Sequence, residues 1–365
     1  MDYDIVIGLE IHAELLTQSK MYCGCSSKFG SEPNTQCCPV CLGMPGTLPV
    51  LNKKAVEYAI KAGLAMNCAI SSRIIQDRKN YFYPDLPKAY QISQNVLPLC
   101  KNGFIEIDTK GGRKRIGITR IHLEEDAGKL IHEAASEGTM IDFNRCGVPL
   151  IEIVSEPDRS SPEEARVFTE AIKSMLEYIN VCDCKMQEGS LRADVNLSVK
   201  PTGSTVLGTR TEMKNLNSFR SIQRAAENEA KRQINILEAG GSIRQETRRW
   251  NDSGGISTAM REKEDAHDYR YFFDPDIPPI IIEEGWLKQI KESLPELPDA
   301  RKLRYIKDYG LPEYDASVLT LTKEMSDYFE EVIKHYDQPK SISNWLMGDL
   351  NRLLNASAID ITQCQ

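Results

Sequence analysis

At 365 residues the chain exceeds the ~250–300 residues at which single hydrophobic cores stop growing, so two or more domains are expected. Hydrophobic residues at 41% and aromatics at 7% exclude an intrinsically disordered chain. With 45 basic and 53 acidic residues the net charge is −8, which leaves no general basic field for nucleic acid or anionic membrane, so any RNA contact must be local.

The start, Met1-Asp2-Tyr3-Asp4, is acidic and enters a strand pattern directly, without the basic and apolar regions of a signal peptide. No window approaches the ~20 apolar residues of a membrane helix, and a cytoplasmic protein without a membrane partner is expected. Over residues 4–14, strand alternation places Glu10, His12 and Glu14 on one face and Leu9 and Ile11 on the other.

Eleven cysteines are present, and five of them (Cys23, Cys25, Cys37, Cys38 and Cys41) crowd into one short segment, which favours a metal over disulfides. Cys23-Gly24-Cys25 and Cys38-Pro39-Val40-Cys41 form a C-x-C…C-x-x-C pattern, and four sulfurs at such spacing select Zn²⁺. Four ligands leave no open position, so a structural zinc is predicted in a loop over residues 23–41, between the first strand and the first helix. A ligand set with Cys37 in place of Cys38 stays open. Cys182 and Cys184 form a lone C-x-C, whereas Cys68, Cys100, Cys146 and Cys364 are isolated.

Strand-like runs alternate with three helices as far as about residue 290. The first helix is expected over residues 53–66 after Asn52 as N-cap. The second follows Ser161-Pro162-Glu163-Glu164, a capping box with proline at the first helical position. The third, over residues 219–239, stops at Gly240-Gly241. Gly111-Gly112 and Gly254-Gly255 read as turns. Beyond the prolines at 295 and 298, short amphipathic helices are expected over residues 300–309, 322–336 and 342–354, with a domain boundary near residue 293.

Further strands carry charge on one face. Residues 191–199 set Arg192, Asp194, Asn196 and Ser198 opposite aliphatics, and residues 210–214 align Arg210, Glu212 and Lys214. Residues 116–126 end in His122-Leu123-Glu124-Glu125-Asp126. One reading is a solvated sheet face. The other is a floor for Mg²⁺ and polyphosphate, in which carboxylates hold the ion and Arg and Lys neutralise phosphate oxygens. Neither a P-loop nor a Rossmann glycine turn occurs, so a nucleotide site must be built from strand side chains.

These pieces together resemble the GatB family of the tRNA-dependent amidotransferases, of the bacterial type. The resemblance is carried by Gly8-Leu9-Glu10-Ile11-His12, by the cysteine pairs leading into Leu42-Gly43-Met44-Pro45-Gly46, by Asp77-Arg78-Lys79-Asn80-Tyr81-Phe82-Tyr83-Pro84-Asp85 and by His122-Leu123-Glu124-Glu125-Asp126. It continues through Asp142-Phe143-Asn144-Arg145-Cys146-Gly147, Glu188-Gly189-Ser190-Leu191-Arg192 and Asp268-Tyr269-Arg270-Tyr271-Phe272. Members of that family usually continue into a longer helical region and a tRNA-gripping tail, whereas this sequence stops at Gln365. The archaeal paralogue's synthetase-like insertion is absent.

The resemblance implies an α+β fold: a cradle over residues 1–293, like glutamine synthetase and guanido kinases with an antiparallel sheet, then a helical domain over 294–365. It implies a carbon–nitrogen ligase that uses ATP to phosphorylate the side-chain carboxylate of misacylated Glu-tRNA(Gln) or Asp-tRNA(Asn). Ammonia from a partner amidase (glutaminase), GatA, then displaces the phosphate, in a heterotrimer completed by the small protein GatC. By the same resemblance Glu10, His12 and Glu125 hold Mg²⁺, with Glu212 and Asp194 on neighbouring strands as further acidic candidates, Glu212 for the ion and Asp194 for the nucleotide. Strict alternation instead puts Glu124 beside His122; Glu125 requires a bend or bulge at the strand end. Lys79, Lys88, Arg192 and Lys214 are candidates to neutralise phosphate, each also readable as a surface cation. Tyr81, Phe82 and Tyr83 either stack on a base or pack. His132, His267 and His335 receive no role. Two rivals are a zinc-containing RNA-binding module without catalysis and a stand-alone ligase using free ammonia.

Overall fold

The computed structural model describes residues 2–132, 138–262, 269–357 and 359–364; His267 and Asp268 lie outside them. The strands in chain order are β1 (Tyr3–Glu14), β2 (Ala69–Ile70), β3 (Arg73–Ile74), β4 (Asp77–Asn80), β5 (Tyr90–Ser93), β6 (Cys100–Thr109), β7 (Gly112–Glu125) and β8 (Lys129–His132). They continue with β9 (Thr139–Asp142), β10 (Pro149–Ser155), β11 (Leu191–Pro201), β12 (Thr211–Lys214), β13 (Glu246–Asn251), β14 (Ile256–Glu262), β15 (Phe272–Phe273) and β16 (Ile280–Ile281).

Nine of them build one sheet in the order β14-β13-β12-β11-β1-β10-β7-β6-β2, with β12 and β13 parallel and the other neighbours antiparallel. β1 therefore runs through the middle, between β10 and β11. A three-stranded sheet, β15-β4-β5, supplies the segment around Lys79. The glycine pairs at 111–112 and 254–255 fall in the β6–β7 and β13–β14 turns, as the sequence predicts.

Two compact units result, Met1–Ala171 with Val181–Ser293, and Ile172–Asn180 with Leu294–Gln365. In the first, the apolar side of the sheet buries Ile7, Leu9 and Ile11 of β1, Ile151 and Ile153 of β10, Val195 and Leu197 of β11, and Ile121 and Leu123 of β7. Helix α1 (Lys53–Ala65) packs on β6 and β7, and α3 (Phe219–Glu238) packs on β11. Asn52 caps α1 by accepting from the N–H groups of Lys54 and Ala55, and Ser218 caps α3. At the start of α2 (Pro162–Tyr178), Ser161 accepts from the Glu164 N–H at 3.2 Å as expected. The Glu164 carboxylate reaches the Ser160 N–H at 2.7 Å, one residue before the expected one, because Lys114 draws it over at 2.8 Å.

Helix α4 (Glu284–Glu292) closes the first unit and goes beyond the sequence expectation: Gly285 in its first turn masks the helical pattern. The second unit contains α5 (Pro298–Tyr309), α6 (Glu313–Leu319), α7 (Lys323–His335), α8 (Pro339–Trp345) and α9 (Asn351–Ser357) around Tyr305, Leu319, Phe329, Ile342 and Leu346. The last expected helix is split by a π turn at Leu346–Leu350, which contains the poor helix former Gly348.

Candidate functional site

Strand register brings the charged side chains together on the face of the main sheet opposite its aliphatic core. His12 of β1 lies between Glu152 of β10 and Arg192 of β11, and Glu10 stands opposite Asp194. Glu152 in turn faces His122 of β7. Donor atoms of His12, Glu124 and Glu152 all fall within 4.8 Å of one another. The His12 imidazole stands 3.8 Å from Glu152, and His122 Nε2 bridges Glu124 at 3.1 Å and Glu152 at 3.2 Å. Ser93 and Gln91 of β5 donate to the other lone pairs of Glu124, at 2.7 and 3.2 Å.

Burial alone would raise the pKa of both central carboxyls. Lys79 and the His122 hydrogen bond overcome it at Glu124, which is held well below the usual carboxylate range. His122 brings Glu152 down to about 2, and the two carboxylates push His122 up to about 9 against its own burial. Glu10 moves the other way: burial raises it, and so do Glu152, Glu212 and Asp194 nearby, although the Asn196 amide donates to it at 2.9 Å. The face thus concentrates negative charge that only a cation can relieve fully.

A cleft of about 450 Å³ opens over this floor, lined by His12, Glu124, Lys79, Tyr81, Arg192, Asp194 and Lys214 among others. Arg192 donates to Asp126 at 2.7 Å, and Lys214 pairs with Asp194 at 2.6 Å and with Glu212 at 3.0 Å. Lys79 has no carboxylate within ion-pair distance among the described residues; its ammonium lies 5.1 Å from the Tyr269 ring, and Tyr81 meets that ring edge-on at 6.2 Å. Phe82 is 92% exposed, and Tyr83 is exposed as well.

Three sequence expectations, for Glu125, Lys88 and Glu212, are corrected here. Pairing of Glu124 with Leu150 and of Glu125 with Pro149 continues without a bulge, so Glu125 keeps the alternation and turns away from His12. It ion-pairs with Lys88, accepts from the Ile92 N–H at 3.0 Å and lines a separate enclosed cavity with Tyr22, Cys41 and Gly147. Lys88 is consequently absent from the carboxylate floor. Glu212 sits two strands from His12, engaged with Lys214 and, at 2.8 Å, with Thr247.

Glu152 goes unmarked in the sequence because it stands alone in the aliphatic run Leu150-Ile151-Glu152-Ile153-Val154, although an isolated acid at an alternating position is an available signal. Gln91 and Ser93 leave no comparable mark.

The cysteines form a second site. Cys23, Cys25, Cys38 and Cys41 place their sulfurs within 4.8 Å of one another, a soft tetrathiol set that suits Zn²⁺. Cys37 points instead towards Asn144, 3.9 Å from its side-chain oxygen. The intervening loop is tied down where Asn34 donates to Asp142 and Ile141, and where Gln36 bonds to Asn144. Gly43 follows with φ 65°, and a β-carbon there would meet Lys88 Cγ at 2.4 Å, so only glycine fits. A hydrogen bond with Cys23 draws the Cys41 thiol down to about 4, helped by the Cys38 N–H and Lys20, whereas burial raises Cys25 to about 11. No described helix is long and apolar enough to cross a membrane.

Residues 5–288 match the family described as the GatB/GatE catalytic domain. The B subunit of the aspartyl/glutamyl-tRNA(Asn/Gln) amidotransferase of Caldicellulosiruptor bescii is 64% identical over 360 residues, covering 99% of this chain and 75% of the relative. Its counterpart in Caldanaerobacter subterraneus is also 64% identical, over 100% of this chain and 76% of the relative. That of Carboxydothermus hydrogenoformans is 57% identical over 100% and 76%.

Proposed function

The chain belongs to the GatB/GatE catalytic-domain family, and from that premise we propose that it activates the side-chain carboxylate of Glu-tRNA(Gln) or Asp-tRNA(Asn) with ATP and completes its amidation. In the first step a carboxylate oxygen of the aminoacyl group takes the γ-phosphoryl group, giving an acyl phosphate and ADP. In the second, ammonia attacks the acyl carbon and inorganic phosphate leaves, so that an amide forms from what began as a poor acyl donor. Like its relatives, the chain works as one part of a larger amidotransferase. The ammonia source is a partner amidase, and a small third protein completes the assembly. The cradle fold of the glutamine synthetase and guanido kinase type accords with the broad antiparallel-rich sheet.

The observation that carries this reading is the convergence of His12, Glu124 and Glu152 on one another, beside a cleft lined by His12, Glu124, Lys79, Arg192 and Lys214. These residues fit Mg²⁺, which supplies charge neutralisation at phosphate oxygens, and Glu10 is the adjoining acid. His122 bridges one oxygen of Glu124 and one of Glu152 and so fixes the two carboxylates relative to each other. Lys79, with no carboxylate at ion-pair distance among the described residues, is the cation most available to a transferring phosphoryl group. Arg192 and Lys214, with Asp126 and Asp194 already beside them, orient rather than neutralise. Tyr81 and the exposed Phe82 and Tyr83 offer flat surfaces to a nucleobase or the unpaired tRNA end. The four cysteines hold a structural zinc ion.

The test is γ-phosphate release and amidated tRNA in the assembled complex, with Mg²⁺ and misacylated tRNA, for wild type and E124Q. Loss of both activities in E124Q is expected; wild-type phosphate release in E124Q and in E152Q would remove the floor from the reaction.

A further inference from the structure

Lys20 is completely buried, with none of its surface exposed. A buried ammonium needs an anionic partner, because desolvating an unpaired charge costs several kcal/mol. No carboxylate lies within ion-pair distance of Lys20 among the described residues. Glu125, which lines the same cavity, is already engaged by Lys88. Among the described residues the Lys20 ammonium donates to the Phe143 carbonyl at 3.3 Å and to Cys41 Sγ at 3.7 Å.

We propose that Lys20 is a positioning residue for the thiolate metal site, the built-in counter-charge that holds a divalent ion among Cys23, Cys25, Cys38 and Cys41. This rests on the zinc reading of those cysteines. Four thiolates around Zn²⁺ carry a net charge of −2, and one ammonium against Cys41, the buried member of the four, brings the assembly to −1. The Cys38 N–H donates to the same sulfur at 3.2 Å, so Cys41 receives both a backbone and a cationic donor. Backbone bonds secure the lysine: its N–H donates to the Cys25 carbonyl at 2.9 Å, and that of Met21 to Gly147 at 2.8 Å. Thiolate and lysine thus satisfy each other. Without thiolates Lys20 is an unpaired buried charge, and without Lys20 the cluster keeps its full double charge, with Cys41 buried.

The experiment compares wild type with K20M in the full chain, first by elemental analysis and then by the rate of zinc transfer to a colorimetric chelator in excess. We expect about one zinc per wild-type chain. Release from K20M should be about 10- to 100-fold faster, the loss usual when a group supporting metal ligands is removed. Metal-free K20M should melt no lower than the metal-free wild type, because an unpaired buried charge has gone. Wild-type release kinetics in K20M overturn the proposal, as does an equal fall in melting temperature for the metal-free and zinc-loaded forms, which marks a packing role. Should K20M not be recovered folded, K20R, which keeps the charge, should release zinc more slowly than K20Q; equal rates overturn the idea. Zinc-free wild type would remove the metal reading itself, an outcome distinct from zinc-loaded wild type with an indifferent Lys20.

Discussion

The thiol cluster and the carboxylate floor are both polar assemblies of the first unit, yet they are built in opposite ways. Four soft donors from one short segment close on each other at the cluster, against a wholly buried lysine, and no side remains for a substrate. At the floor, two hard carboxylates and an imidazole from three strands meet beside an open cleft that Glu124 and His12 line and whose walls carry cations. The cations differ in the same sense: Lys20 is sealed against sulfur, whereas Lys79 stands over the cleft without a carboxylate of its own. A closed, self-neutralised site stabilises a loop. An open site left short of positive charge is one that gains by binding a metal and a phosphate.

This contrast is broken most severely at the floor. E124Q or E152Q removes a hard anionic ligand while keeping the shape, and phosphate release should fall about 10³-fold, the scale set by losing one preorganised charge-stabilising group. Zinc content should stay at the wild-type value; if zinc falls as well, the two sites are not independent. A next effect, on stability, separates Glu125 from its neighbour. E125Q leaves Lys88 as an unpaired buried cation and should destabilise the protein by about 3 kcal/mol in denaturant unfolding, with K88M/E125Q recovering most of the loss. No recovery in the double variant would mean that Glu125 acts elsewhere than in this pair.

Acidity gives a third handle. His122 holds its proton up to about 9 in the folded protein, above its ordinary value of 6.5. A raised pKa contributes stability fully below about pH 6.5, and this contribution is lost as pH rises towards about 9. In protein stripped of metal, the melting temperature should decline over that window, and H122Q should flatten the slope. Smallest is the difference between adjacent cysteines. C38S should lower the melting temperature of zinc-loaded protein by several degrees, whereas C37S, whose sulfur meets only Asn144, should change it by about 1 °C or less. Equal effects would restore Cys37 to the ligand set.

How far each site is legible follows from where its partners come from. The thiol site needs only local spacing, and the C-x-C and C-x-x-C pairs announce it. Alternation in β1 likewise gives away the shared face of Glu10 and His12. Glu152 is a neighbour of His12 only through strand pairing, which sequence does not state, and its aliphatic surroundings read as core. Choosing Glu125 over Glu124 requires a bulge at that end of the strand, whereas the β7–β10 register shifts only between Val154 and Ser155, so plain alternation is the better guide. The long helices are marked by the caps Asn52 and Ser161 and by the stop at Gly240-Gly241, whereas α4 and α6, at nine and seven residues, are too short for a 3.6-residue period to stand out.

The central place of β1 also bears on how the chain matures during synthesis. His12 pairs with Glu152 and Arg192, so both neighbours of this strand emerge from the ribosome well over a hundred residues after it does. Such distant pairings close large loops and form slowly. The cysteine loop needs nothing beyond Cys41 to gather its four sulfurs. A nascent chain therefore passes through a long interval with a finished metal loop next to an unpaired strand bearing Ile7, Leu9 and Ile11, and that aliphatic edge is the part of the molecule most exposed to aggregation before the sheet is complete.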